Sequence, residues 1–68
     1  MTVSNKVQAA INSLKSAQAS LQSFVLDTQD KRAKQTYQSA ADQAEQVIKD
    51  LEERLDELHK ENAEYTGL

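Results

Sequence analysis

The chain has 68 residues, no cysteine, a hydrophobic fraction of 38% and a formal net charge of −3. This length allows one small domain at most, and the lack of cysteine excludes disulfides and thiolate metal sites. The net negative charge argues against non-specific nucleic-acid binding. No signal peptide is recognisable, and the longest apolar run, residues 24–26, is far below the ~20 residues of a membrane span. We therefore expect a soluble intracellular protein.

Apolar residues in the first half of the chain repeat every seven positions. This spacing predicts a helix over about residues 3–26 that packs against another helix. One position of the repeat holds Val7, Leu14 and Leu21, followed by Thr28. The position three residues later holds a second set, and two more residues widen the stripe: Val3, Ala10, Ala17 and Phe24, with Ile11 and Val25 beside them. The small alanines either let helix backbones approach closely or simply favour helix.

Residues 27–30, with the sequence DTQD, interrupt the apolar pattern. They contain no glycine or proline, but aspartate and threonine are good helix-capping types. We expect Asp30, or Thr28 just before it, to cap a second helix. The competing interpretation is one continuous helix from residue 3 to residue 64, about 90 Å long. A short connection between two helices favours antiparallel neighbours.

The second helix is predicted over about residues 31–64, followed by a frayed tail over residues 65–68 in which Gly67 stops the helix. Two consecutive four-residue steps, from Val47 to Leu51 to Leu55, predict a stutter bridged by Ile48. This helix should outrun the first by nearly three turns and leave Leu55, Leu58 and Tyr65 in an overhang. Its predicted seam is Ala33, Tyr37, Ala40, Ala44, Val47, Leu51, Leu55, Leu58 and Tyr65.

The predicted fold is all-α, a single antiparallel two-helix hairpin resembling a coiled coil, which dimerises into a four-helix bundle. Oligomerisation is expected because so small a scaffold, without disulfides or metal, buries too little apolar surface by itself. The expected partner is therefore a second copy, in a homodimer or a higher assembly. The predicted oligomer interface comprises Val7, Leu14, Leu21, Phe24, Tyr37, Val47, Ile48, Leu51, Leu55 and Leu58.

Charges are concentrated in the second helix and its entry. An acid stands four residues before a base in five pairs: Asp27–Lys31, Asp30–Lys34, Glu45–Lys49, Asp50–Arg54 and Asp56–Lys60. Each pair would add about 0.2–0.5 kcal/mol of helix stability. The helix begins with bases and ends with acids, which opposes its macrodipole. An antiparallel dimer would bring the basic turn near the acidic end of its partner; the alternative is ordinary solvated surface charge.

No catalytic constellation is present, and we expect no enzyme activity, no cofactor and no small-molecule substrate. A single glycine excludes phosphate-cradling loops. Asp56 and His59 stand three apart on one helix face and are the only candidate metal ligands, but a solvated helix histidine is the simpler interpretation of His59, and we expect no metal site. The amphipathic first helix also suggests an alternative function, direct contact with a membrane surface, but packing against the second helix explains the same apolar stripe.

The stretches SLKSAQASL at residues 13–21, TQD at 28–30, AKQTY at 33–37 and AEQVIKDLEER at 44–54 resemble the domain-of-unknown-function family 1657, small proteins of spore-forming bacteria. The resemblance covers residues 8–51 best and is least over the tail from residue 56. It implies a helical module that occurs alone or joined to membrane proteins, in a context of spore germination and heat resistance. It supplies no catalytic residue.

We therefore expect a non-enzymatic, self-associating interaction or structural protein of the forespore or spore. One alternative is a membrane-surface adaptor that docks on a spore membrane protein. Another is a helical bundle that binds metal or cargo through Asp56 and His59.

Overall fold

The chain folds into two antiparallel helices, as the predicted hairpin requires. The structure is a computed structural model that describes the backbone of residues 2–66 and the side chains of residues 3–61. Helix α1 spans Thr2–Asp27 and helix α2 spans Lys31–Thr66. The helices pack along each other in a body whose Cα extents are 55 × 15 × 12 Å. One continuous helix is therefore excluded.

The helix bounds lie close to those expected from the sequence. Helix α1 begins one residue before the predicted start and ends one residue after the predicted end, whereas α2 runs two residues beyond residue 64. Differences of one or two residues are usual where helix ends fray. Of the predicted tail, Gly67, Leu68 and the side chain of Tyr65 lie outside the described residues.

The connection between the helices is held by backbone hydrogen bonds and one carboxylate. The Thr28 amide donates to the Phe24 carbonyl at 2.9 Å and closes the end of α1. The Asp30 Oδ2 accepts from the Ala33 amide at 2.9 Å, and the Asp30 carbonyl accepts from the Lys34 amide at 2.9 Å. Asp30 is thus the N-cap of α2, and its negative charge lies at a helix start that has no acid in its first turn.

Helix α1 turns a different set of residues inward than the spacing predicted. Its covered residues follow an alternating step of three and four: Ser4, Val7, Ile11, Leu14, Gln18, Leu21, Val25 and Thr28. In heptad notation Ser4 and Ile11 occupy position a, and Val7 and Leu14 occupy position d. We expected the residues three positions after Val7, Leu14 and Leu21 to share the inner face of the helix with them. That prediction was wrong, because the residues four positions after them face α2 instead.

Helix α2 keeps the same repeat without interruption. Its inward residues are Tyr37, Ala41, Ala44, Ile48, Leu51, Leu55 and Leu58, again in steps of four and three. The predicted stutter is absent over these residues because Ile48, and not Val47, occupies the seam. Ile48 is 5% exposed, whereas Val47 is 44% exposed. Ala33 and Ala40 are half-buried at position g, beside the seam.

Two contacts between the helices fix their register. The rings of Phe24 and Tyr37 meet edge to face at a centroid distance of 5.5 Å, and Lys15 Nζ lies 3.3 Å from a Glu52 carboxylate oxygen. Leu55 and Leu58 are half-buried, so the prediction that they lie in an overhang was wrong. Helical side chains lean towards the N-terminus of their own helix, which turns both leucines back over the part of α2 that α1 covers.

Two polar residues interrupt the seam of α1. Ser4 is 6% exposed, and its hydroxyl has no hydrogen-bond partner among the described residues. Gln18 is half-buried in the middle of the seam, where the facing stretch of α2 supplies the small residues Ala40, Ala41 and Ala44. The register therefore matches a long polar side chain with a run of alanines.

Replacing Ser4 with alanine should stabilise the protein. The change removes a buried hydroxyl that has no partner within residues 3–61, and leaving such a group unsatisfied costs about 1–3 kcal/mol. We expect a higher free energy of unfolding in urea for Ser4→Ala, with Ser13→Ala, at an exposed site of the same helix, as the control. An equal gain from both variants would attribute the effect to helix propensity instead of burial.

Replacing Asp30 with alanine should destabilise α2 at its start. Loss of an N-cap acceptor costs about 1 kcal/mol, and asparagine is as good a cap as aspartate. Thermal unfolding followed by circular dichroism should show a lower melting temperature for Asp30→Ala and little change for Asp30→Asn. Equal losses in the two variants would mean that the charge, and not the capping oxygen, stabilises the turn.

Candidate interaction surface

The antiparallel pairing gives the hairpin two unlike sides. In such a pair the g positions of both helices flank the seam on one side and the e positions flank it on the other. We call the g side the alanine side; it consists of Val3, Ala10, Ala17, Phe24, Ala33, Ala40 and Val47, with Arg54 at its end. We call the e side the charged side; it consists of Gln8, Lys15, Gln22, Gln38, Glu45, Glu52 and His59. The Lys15–Glu52 ion pair spans the charged side.

The seam is covered much better towards the charged side than towards the alanine side. The buried residues Ser4, Ile11, Ala41 and Ile48 all occupy position a, which lies next to position e. The a residues Gln18, Val25 and Leu55 are half-buried. The d residues lie next to position g, and none of them is more than half-buried: Val7, Leu14, Leu21, Thr28, Tyr37, Ala44, Leu51 and Leu58. Long e side chains can lie over the seam, whereas alanine methyl groups cannot. The alanine side is therefore an apolar valley with a partly open floor.

Large apolar side chains stand at intervals along this valley. Val3 is 59% exposed, Phe24 48% and Val47 44%. The c positions that border the valley carry hydroxyl or amide groups over its central part: Ser13, Ser20, Thr36 and Gln43. Neither the valley nor this border carries a charge between Lys6 and Asp27 on α1 or between Lys34 and Asp50 on α2. A partner can therefore cover the middle of the valley without desolvating an ion.

Charged side chains gather at the open end of the hairpin. Arg54 Nη1 lies 3.4 Å from Glu57 Oε1 and 3.2 Å from Glu61 Oε1. The hydrogen bond to Glu57 and then the negative charge of Glu61 raise the pKa of the Arg54 guanidinium. Arg54 is therefore turned along α2 towards acidic residues, and the valley ends in an ion cluster on the same helix.

The predicted pairs at a spacing of four residues are mostly not formed. Among the described residues, Lys60 Nζ meets Asp56 Oδ2 at 3.2 Å, which confirms that pair. Asp30 caps α2, and Asp50 accepts a hydrogen bond from Gln46 at 3.0 Å. The predictions for the other pairs were wrong: Asp30, Asp50 and Arg54 have other partners, and no ion pair joins Asp27 to Lys31 or Glu45 to Lys49 in the described part of the chain.

The residues predicted for an oligomer interface fall into two groups. Ile48 is buried and Leu55 half-buried at position a, within the hairpin. The others line the alanine side, on its floor or its edge: Val7, Leu14, Leu21, Phe24, Tyr37, Val47, Leu51 and Leu58. The hairpin thus uses part of the predicted interface for itself and leaves the rest partly exposed. The interface itself stays a prediction.

No chemical site is assembled among residues 3–61. His59 is exposed and the Asp56 carboxylate is bound to Lys60, and no group of three potential metal ligands forms in the described part of the chain. A depression of about 520 Å³ on α2 is open to solvent and extends from the outer face of the helix to the border of the alanine side; its lining residues are Arg32, Gln35, Thr36, Ser39, Ala40 and Gln43. Within its described residues, neither helix combines the length and apolar character needed to cross a bilayer.

Sequence reasoning missed Ala41, Gln18 and Ser4 as seam residues. Ser4 and Gln18 are polar, so hydrophobic spacing passes over them, and Ala41 stands in a run of two alanines. The available signal was the spacing of Ile11 and Val25. They stand fourteen residues apart with Gln18 midway, so the three residues form a seven-residue repeat. A search for apolar residues alone misses this repeat because Gln18 is polar.

Comparison with known proteins gives a family without an assigned activity. The family model described as "Protein of unknown function (DUF1657)" matches residues 7–55, which include most of the paired helices and the turn. No curated protein and no solved structure matches the chain. The resemblance noted in the sequence is thereby confirmed, and the chain belongs to the DUF1657 family of proteins of unknown function.

Proposed function

We propose that this protein is a non-enzymatic interaction module that works by associating with itself. The observation that carries the proposal is the small size of the core. Among the described residues the only buried apolar side chains are Ile11, Ala41 and Ile48. Small scaffolds seldom gain more than about 3–5 kcal/mol from one core and often add oligomerisation. The half-exposed leucines of the seam are the surface that association would bury.

The proposed assembly is an antiparallel dimer of hairpins that forms a four-helix bundle. Near the turn, Lys31, Arg32 and Lys34 outnumber Asp27 and Asp30. The opposite end of the hairpin is acidic, with Glu52, Glu53, Asp56, Glu57 and Glu61 on α2. Two hairpins in opposite directions would place unlike charges together at both ends. Such complementarity favours one orientation over another more than it adds affinity.

The biological context that we propose is the forespore or spore, with a role in germination or heat resistance. It rests on the spore-forming context that the family resemblance implies. The protein would then act inside the cell as a structural element or adaptor, and its partners would be copies of itself and a spore membrane protein.

One observation favours the alternative of a membrane-surface adaptor. Leu26 is 84% exposed close to the turn, on the same end of the hairpin as Lys31 and Arg32. An apolar side chain beside bases suits an anionic lipid surface. The main stripe of α1 is less suitable, because α2 covers it and Ile11 is fully buried. Flotation with anionic vesicles tests this alternative, and Leu26→Ser should abolish flotation if it holds.

Sedimentation equilibrium tests the proposed function directly. We expect a mass twice that of the 7.6 kDa chain at micromolar concentration, with weaker association in high salt because salt screens the end charges. A dimer that is indifferent to salt would refute the electrostatic part of the proposal. A monomer that stays compact and melts cooperatively at every concentration would refute self-association.

Replacing Leu51 with aspartate should abolish association and reduce helicity together. Leu51 lies half-exposed on the valley floor, so a carboxylate there would be desolvated both by the hairpin and by a partner. Circular dichroism and solution mass should both fall for Leu51→Asp, while Glu53→Asp, at an exposed site, should change neither. An unchanged mass and dichroism signal for Leu51→Asp would contradict the packing register.

A further inference from the structure

We propose that the alanine side is the surface on which a second copy of this chain docks, while the charged side stays outside the assembly. This inference rests on the proposed function, because it names the surface through which the chain associates.

The repeat provides apolar residues for more than one neighbouring helix. A two-stranded coiled coil needs only positions a and d, whereas a helix in the core of a bundle needs a third apolar position at e or g. Both helices carry that third position at g, as Ala10 and Ala17 on α1 and Ala40 and Val47 on α2. Each helix is therefore built for two neighbours, and the hairpin supplies one. A second hairpin supplies the missing neighbour for both helices at once.

The burial of the seam indicates which side the second hairpin covers. All the fully buried residues among those described lie at position a, towards the charged side, as Ile11 and Ile48 do, whereas no d residue is more than half-buried, as Leu14 and Leu51 show. Covering the charged side would bury little apolar surface and would desolvate Lys15 and Glu52. Covering the alanine side would complete the burial of the d residues without enclosing a charge in the middle of the interface.

The shape of the alanine side suits a copy of itself in the opposite direction. Its largest residue, Phe24, lies near the turn, Val47 lies near mid-length, and the smaller Val3 lies near the open end, with Ala10 and Ala17 along α1 between the turn and the open end. An antiparallel two-fold arrangement places each Phe24 towards the open end of the partner, where the smaller Val3 lies. Alanines allow helix axes to approach to about 8 Å, the close end of the usual range.

The size of the surface suits a weak, reversible dimer. From Val3 to Phe24 the alanine side runs about 30 Å along the helix, and the hairpin is 15 Å wide in its broader cross-section. Each copy therefore contributes on the order of 450 Å², and the pair about 900 Å², which lies in the range of weak, transient interfaces. This size favours a dimer that dissociates on dilution.

Two matched pairs of substitutions test the inference. Ala10→Glu and Ala17→Glu place a carboxylate on the alanine side, whereas Ala9→Glu and Ala19→Glu place it at exposed sites elsewhere on α1. All four exchange an exposed alanine for glutamate, so helix propensity and net charge change equally. We expect the dimer dissociation constant, measured by sedimentation, to rise at least about tenfold, a change worth about 1.4 kcal/mol, in the first two variants. It should stay unchanged in the other two.

The outcomes separate this inference from the proposed function. If wild type dimerises and all four variants dimerise equally, the alanine side is not the interface, and self-association stands. If the Ala9 and Ala19 variants dissociate while the other two do not, the interface lies on another face. A monomeric wild type that floats with anionic vesicles would make lipid the occupant and overturn both. Should a glutamate variant lose helicity, the corresponding glutamine variant must weaken the dimer in its place.

Discussion

The packing of two helices in one register is the constraint on which the rest of the structure depends. A strict alternation of three and four residues brings Val7, Ile11 and Leu14 of α1 against Ile48, Leu51 and Leu55 of α2. Once these residues face each other, they fix how each helix is turned. They therefore also fix the side of the hairpin on which every other residue lies. Lys15 and Glu52 then meet across one side, and alanines line the other. The same register therefore determines both how the chain folds and which surface it leaves for a partner.

The hairpin and its turn could be predicted from the sequence, because their signals are local. A break in a seven-residue repeat and an aspartate at a helix start act within a few residues, and Asp30 caps α2 through its own carboxylate. The choice of the seam could not be predicted in the same way. Three of every seven positions are apolar in both helices, so spacing alone does not decide which two face the neighbour. Gln18 and Ser4 on the inner face favoured the wrong choice, and so did Val47 beside Ile48.

Side-chain charges were less predictable than helices for a related reason. An acid and a base four residues apart compete with every other acceptor and donor in reach, and exposed pairs contribute little. Asp50 accepts a hydrogen bond from Gln46, and Arg54 forms ion pairs with Glu57 and Glu61. What the sequence did indicate was the broader distribution of charge. A basic turn and an acidic open end remain whichever individual pairs form, and the uncharged middle of the alanine side separates them.

The distance between Lys15 and Glu52 tests the central claim most directly, because it reports the register and the hairpin together. Cysteines at these two positions, in a chain that has none of its own, can carry spin labels for pulsed electron resonance in an excess of unlabelled protein. The hairpin predicts labels within about 20 Å of each other, since packed helix axes are roughly 8–10 Å apart. A separation near 55 Å, the length of a continuous helix at ~1.5 Å per residue between these sites, would contradict it.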